Sequence, residues 1–128
     1  VSGRLLLDTY VLIWALSAPR KLPARVVAAL RDPDTDVHSS AASTWEIAIK
    51  SALGKIRADL PAIVRAAYAA DFDELPITVA HTERLRLLPA HHRDPFDRIL
   101  IAQALEEHLT IVTHDRTISI YEVPVLWT

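Results

Sequence analysis

Arg4-Leu5-Leu6-Leu7-Asp8 sets three consecutive leucines against a closing carboxylate. A short unbroken apolar run with a polar stop suits a strand buried on both faces, the kind found in the middle of a parallel sheet. We therefore expect this to be the first and central strand. A second such run, Thr110-Ile111-Val112-Thr113, is followed by His114 and Asp115, and Val123-Pro124-Val125-Leu126-Trp127 reads as a final short strand.

Helical patterns fill the space between. Tyr10 to Leu16 reads as a short helix, and Pro23 to Arg31 as a second with proline near its first position, the two forming a helical hairpin. After the turn-forming Asp32-Pro33-Asp34-Thr35-Asp36, Val37 and His38 lead a brief strand into Ser39-Ser40-Ala41-Ala42-Ser43, where the next helix begins. Trp45, Ala48, Ile49, Ala52 and Leu53 recur there at helical spacing and predict a core face, with Gly54 as the stop. A fourth helix is expected over about Leu60 to Ala70. A short strand over Glu74 to Val79 is placed at a sheet edge by Pro76, and another helix spans Ala80 to Leu88. Asp94 before Pro95 predicts an N-cap, and the helix that follows through Glu107 is apolar nearly all round, hence buried between layers. Strands alternating with helices imply an α/β fold, a parallel sheet with helices on both faces, and residues 1–128 are expected to form a single domain.

Composition narrows the chemistry. The absence of cysteine rules out disulfides, thiolate zinc sites and cysteine nucleophiles. A net charge of −2 gives no whole-molecule attraction to nucleic acid, so such a substrate needs a local basic rim or bound cations. No apolar run approaches the roughly 20 residues of a membrane span and no signal-type segment opens the chain, so a cytoplasmic location without membrane association is expected.

Four acidic residues stand out: Asp8, Glu46, Asp97 and Asp115. Each also has a structural reading. Glu46 follows Ser43 at capping-box spacing and precedes Lys50 at ion-pair spacing, and Asp97 lies in a first helical turn after Asp94. Asp8 and Asp115 suit turns. Yet in a parallel sheet Asp8 and Asp115 share one edge, and the helices carrying Glu46 and Asp97 start on that edge. Carboxylates gathered there raise one another's pKa, and a divalent cation resolves the repulsion, with all-oxygen ligation favouring Mg²⁺ or Mn²⁺. Thr9, Ser39, Ser43, Thr113 and Arg98 are candidates to orient these carboxylates or contact phosphate. Asp94 is the ambiguous neighbour, with an N-cap to serve.

The segments Leu5-Leu6-Leu7-Asp8-Thr9-Tyr10, Ser40-Ala41-Ala42-Ser43-Thr44-Trp45-Glu46-Ile47, His91-His92-Arg93-Asp94-Pro95-Phe96-Asp97-Arg98 and Ile111-Val112-Thr113-His114-Asp115 together resemble the PIN-domain ribonucleases, specifically the VapC-type toxins. The resemblance runs in family order across almost the whole chain. It implies a doubly wound, three-layer α/β/α fold and an Mg²⁺- or Mn²⁺-dependent endoribonuclease toxin, with Asp8, Glu46, Asp97 and Asp115 as catalytic and metal-binding residues. It also implies structured cellular RNA such as tRNA or rRNA as substrate, a homodimer, and a cognate antitoxin. Tyr10 departs from the histidine expected after Asp-Thr. His91, His92 and Arg93 are expected in a solvated loop beside the site, because adjacent histidines point apart and make a poor metal pair. Leu12, Trp14 and Leu16 fit ordinary core packing, with a groove for an amphipathic partner as the other reading. A haloacid-dehalogenase-type phosphatase needs a second Asp where Tyr10 stands, and a P-loop fails with only Gly3 and Gly54. The remaining alternative is a PIN-like module that binds RNA or protein without catalysis.

Overall fold

The structure, a computed structural model, describes residues 3–128. Five strands form one parallel sheet: β1 (Arg4–Leu7), β2 (Asp36–Ser40), β3 (Asp73–Leu75), β4 (Thr110–Thr113) and β5 (Val125–Trp127), in the order β3-β2-β1-β4-β5. β1 is central, as its leucines predict, and pairs Leu6 with Ile111 of β4 and Leu5 with Val37 of β2. The sheet grows outward from β1 through β2 to β3 and then restarts on the other side at β4. The β1/β4 boundary is therefore the topological switch point, where open α/β sheets leave a crevice at the carboxyl ends of their strands.

The helices are α1 (Thr9–Ser17), α2 (Ala24–Arg31), α3 (Ala41–Ala52), α4 (Leu60–Ala69), α5 (Val79–Arg86) and α6 (Pro95–Glu107), with 3₁₀ turns at Pro19–Lys21 and Arg116–Ile120. Strand alternation divides the core in two. Leu5, Leu7 and Val112 pack with Val11, Leu12, Val26, Ile47 and Ile63 from α1 to α4. Leu6 and Ile111 pack with Ile99, Leu100, Ile101 and Ala104 of α6 on the opposite face. This is a doubly wound, three-layer α/β/α arrangement. The helix-rich sequence pattern of α6 is explained by its position: Ile99 through Ala104 are all buried. Its C-cap, His108, takes the left-handed conformation (φ 57°) that a glycine usually supplies.

Three expectations are corrected. The β3 strand ends at Leu75 rather than continuing to Val79, because Pro76 cannot donate to a ladder and Thr78 instead caps α5 in a reciprocal box with His81. α3 is capped by Ser40, whose side chain accepts from Ala42 N–H, so Ser43 and Glu46 lie inside the helix and form no capping box. The face of α3 expected in the core faces out: Trp45, Ile49 and Leu53 are exposed, at 56%, 39% and 63%, while Ala42, Ser43, Glu46 and Ile47 are buried. Leu12 is fully buried, whereas Trp14 and Leu16 are half-buried. Among the described residues no helix is long and apolar enough to cross a membrane.

Truncating the central strand tests this core assignment. Leu6→Ala is expected to cost about 2–5 kcal/mol in urea denaturation, against less than about 0.5 kcal/mol for Tyr68→Ala on the exposed side of α4; equal losses would contradict it.

Candidate metal centre

Asp8 follows β1 directly and serves as the N-cap of α1. One carboxylate oxygen accepts from Val11 N–H at 2.8 Å and the other from the Thr113 hydroxyl at the end of β4. Thr113 Oγ1 in turn accepts from Asp115 N–H at 3.0 Å, which ties the two strand ends together. Asp115 lies two residues beyond β4 and caps the following 3₁₀ turn through Thr117 N–H. Glu46 reaches the same crevice from the second turn of α3, with its side chain between Thr9 Oγ1 (2.5 Å) and Lys50 Nζ (2.5 Å). The Thr9 hydroxyl has a single proton, and its shorter, charged partner Glu46 takes it; the 3.1 Å contact with Ser43 Oγ then has Ser43 donating.

Asp94 caps α6, accepting from Phe96 N–H (2.8 Å) and Asp97 N–H (3.3 Å), with its second oxygen 3.8 Å from Lys50 Nζ. Asp97 then points from the first turn of α6 into a pocket of about 380 Å³ that Asp8, Glu46, Asp94 and Asp115 also line. Thr9, Tyr10, Lys50, His114 and Arg116 complete its walls. The structure thus brings Asp8, Glu46, Asp97 and Asp115 together with Thr9, Ser43, Thr113 and Asp94 close by.

Two expected neighbours are elsewhere. Arg98 turns away from the pocket, donating to the Leu88 carbonyl at 3.3 Å, since one residue after Asp97 the helix has rotated by about 100°. Ser39 lines a separate small cavity against α4. Conversely, His92 is not a solvated loop residue. Its Nδ1 accepts from Asp94 N–H at 3.1 Å, which fixes the proton on Nε2 in the neutral ring, and Nε2 lies 2.9 Å from Asp115 and 3.1 Å from Asp97. The Tyr121 hydroxyl holds the loop by accepting from His92 N–H at 2.8 Å, while His91 stays exposed with its ring edge-on to Tyr121. The local signal for His92 was its place two residues before an N-cap; its link to Asp115, 23 residues on, had none.

Electrostatics set the carboxylates apart. Burial pushes the Asp97 carboxyl up to about 7, assisted by Asp94 and opposed by His92. Burial also raises Asp8, partly offset by its hydrogen bonds from Thr113 and Val11. For Asp115 the burial effect is outweighed by hydrogen bonds from His92 and Thr117, which leave it below the usual carboxylate range. Glu46 holds the Lys50 ammonium above its ordinary pKa. Lys50, His92, His114 and Arg116 are the positive or polarisable groups set against the carboxylates of Asp8, Glu46, Asp94, Asp97 and Asp115. An all-oxygen donor set with one carboxyl driven to near-neutral pKa is what a hard divalent cation would relieve. Carboxylate oxygens of Asp97 and Asp115 lie within 4.8 Å of each other and of His92 Nε2, close enough for the two carboxylates to share one ion.

Because the folded chain holds the Asp97 proton more tightly than the unfolded chain does, ionising Asp97 costs stability. That cost is absent below pH 3.8 and complete above about pH 7. Asp115, shifted the other way, is ionised in both states above pH 5 and adds no slope there. In metal-free buffer the stability of Asp97→Asn should therefore gain on wild type between pH 5 and pH 8, by on the order of 2 kcal/mol. Parallel pH profiles from denaturant melts would contradict the assignment.

A chain of VapBC2 from Rickettsia felis, bound to a DNA fragment from their promoter, superposes with a TM-score of 0.72 at 11% identity, covering 97% of this chain and 98% of that one. A chain of DNA-bound VapBC from Salmonella typhimurium gives 0.73 at 15% identity, covering 98% of each chain. FitAcB from Neisseria gonorrhoeae gives 0.61 at 21% identity, covering 95% and 96%. At these identities the likeness is one of fold. No curated protein matches the sequence. The model of the PIN domain matches residues 5–124, nearly the whole chain, and this chain therefore belongs to the PIN-domain family of nucleases.

Proposed function

We propose that this chain is a VapC-type toxin, an endoribonuclease that hydrolyses phosphodiester bonds in structured cellular RNA such as tRNA or rRNA. The observation that carries the reading is the convergence of Asp8, Glu46, Asp97 and Asp115 from four elements onto the switch-point pocket. In this reading Asp8, Asp97 and Asp115, with Glu46, hold Mg²⁺ or Mn²⁺. When bound, such an ion supplies Lewis-acid polarisation of the phosphodiester and acidifies water for attack. The rest is done by the chain. Val11 N–H and Thr113 fix Asp8, Thr9 and Lys50 fix Glu46, and His92 spans Asp97 and Asp115 to hold their oxygens toward the pocket. Lys50 and Arg116 on its walls give the local positive charge that the net charge of −2 does not provide.

A cognate antitoxin is the proposed partner, and the proposed assembly is a homodimer acting in the cytoplasm. A cavity of about 580 Å³ at the opposite sheet edge, lined by Leu16, Leu22, Val27, Leu30 and Phe72 and rimmed by Asp32, Asp36, Asp71 and Asp73 against the single cation Arg31, suits an amphipathic segment carrying basic residues. Among solved relatives, the VapBC chains come from toxin–antitoxin pairs, which supports this partner class.

Purified protein should cleave cellular RNA with Mg²⁺ or Mn²⁺ and stop when the metal is chelated. Asp8→Asn and Asp97→Asn, checked as folded by melting curves, should lose activity by about 100-fold or more. Equal cleavage by all three proteins would refute the assignment, and no cleavage by wild type across RNAs and metals would favour a binding module. At limiting metal, activity should rise from pH 6 to pH 8, because protons compete for the Asp97 carboxylate below about pH 7; a flat profile at limiting metal would argue that Asp97 is no ligand.

A further inference from the structure

The outward-facing stripe of α3 begins at the lip of the acidic pocket. Trp45, 56% exposed, immediately precedes Glu46, and Phe96 immediately precedes Asp97. Their rings meet edge-to-face, with centroids 5.0 Å apart and an interplanar angle of 77°. Neighbouring helical residues differ in direction by about 100°, so the two carboxylates enter the pocket while the aromatic residues before them stand together outside it. Lys50 joins the two parts: its Nζ lies 5.8 Å from the Phe96 ring centroid and 2.5 Å from Glu46. A 56% exposed indole in T-shaped contact with a second ring, next to an ammonium and a carboxylate-lined pocket, presents aromatic surface to solvent beside that pocket.

We propose that the Trp45–Phe96 pair is a stacking platform for an unpaired base next to the phosphodiester being cleaved, with Lys50 addressing the backbone phosphate. The proposal rests on the nuclease reading and deepens it. Base–aromatic stacking tolerates sequence because every base offers a π-face, and Lys50 contributes the charge that tracks the backbone. A base inside a duplex has both faces covered by its neighbours and cannot reach Trp45. The platform therefore confines cleavage to single-stranded or looped segments. Ile49 and Leu53 continue the apolar stripe away from the pocket, so a second copy of the chain lying over α3 is the rival occupant that the test must separate.

Cleavage is measured on hairpin RNAs with randomised loops for wild type, Trp45→Phe and Trp45→Ala, with Mg²⁺ present and KM and kcat read separately. Trp45→Ala should raise KM by roughly tenfold or more with kcat changed little, and Trp45→Phe should retain most of the affinity. In an Asp8→Asn background, single-stranded RNA should quench tryptophan emission when Trp45 is present and not when it is Phe. Unchanged KM in Trp45→Ala overturns the proposal. So does a shift of Trp45→Ala from dimer to monomer in sedimentation with activity restored at higher protein concentration, which would place a second copy over the indole. Trp45-dependent quenching without cleavage by any form would sink the nuclease reading and keep the platform; neither quenching nor cleavage would sink both.

Discussion

The constraint on which the rest depends is a carboxylate buried at the junction of the two half-sheets. Asp8 is 6% exposed, and two hydrogen bonds offset part of the loss of water: the first turn of α1 donates one and Thr113 on the neighbouring strand another. Buried charge without such partners is costly by several kcal/mol. The same Thr113 hydroxyl receives the Asp115 N–H, so one side chain fixes the ends of β1 and β4 relative to each other. Glu46 and Asp97 come to this junction from helices on opposite faces of the sheet. The pocket is where the two cores of the molecule meet, and its geometry is inherited from the packing of both.

That inheritance explains the inverted helix. α3 carries two stripes: an apolar one, Trp45-Ile49-Leu53, and a polar one, Ser43-Glu46-Lys50. Amphipathic patterning alone assigns the apolar stripe to the core. The fold does the reverse because each polar member finds a partner inside: Ser43 with Thr9, Glu46 with Thr9 and Lys50, Lys50 with Glu46 and Asp94. Ile47 and Ala42 supply enough apolar contact to seat the helix. Departures of this kind from local rules are expected where a site, rather than stability alone, sets the sequence.

Much of the molecule was legible in the sequence, and the reasons are local. The leucines of β1, the run Ile111-Val112 and the Asp94-Pro95 start of α6 each carry their structural cause within a few residues, and a parallel sheet with β1 at its centre followed from the alternation of strands and helices. Asp8, Glu46, Asp97 and Asp115 were found together because strand ends and helix starts share one edge in a parallel sheet. What stayed hidden depends on long-range closure. His92 reaches Asp115 from a loop held by Tyr121 and by Asp94 N–H, and Arg98 leaves the pocket because helix rotation carries it to Leu88. Ser43 looked like a cap because its spacing to Glu46 is right, while Ser40, three residues earlier, held the strand end where the helix begins.

The switch-point carboxylates are proposed to hold a divalent ion. Anomalous diffraction from crystals soaked in Mn²⁺ tests it most directly, since manganese is located without reference to activity. A strong anomalous peak is expected within the pocket, bonded to carboxylate oxygens of Asp8 and Asp97 or Asp115. A protein crystal that stays well ordered in Mn²⁺ with no peak there, or with its only peak outside this pocket, would contradict it.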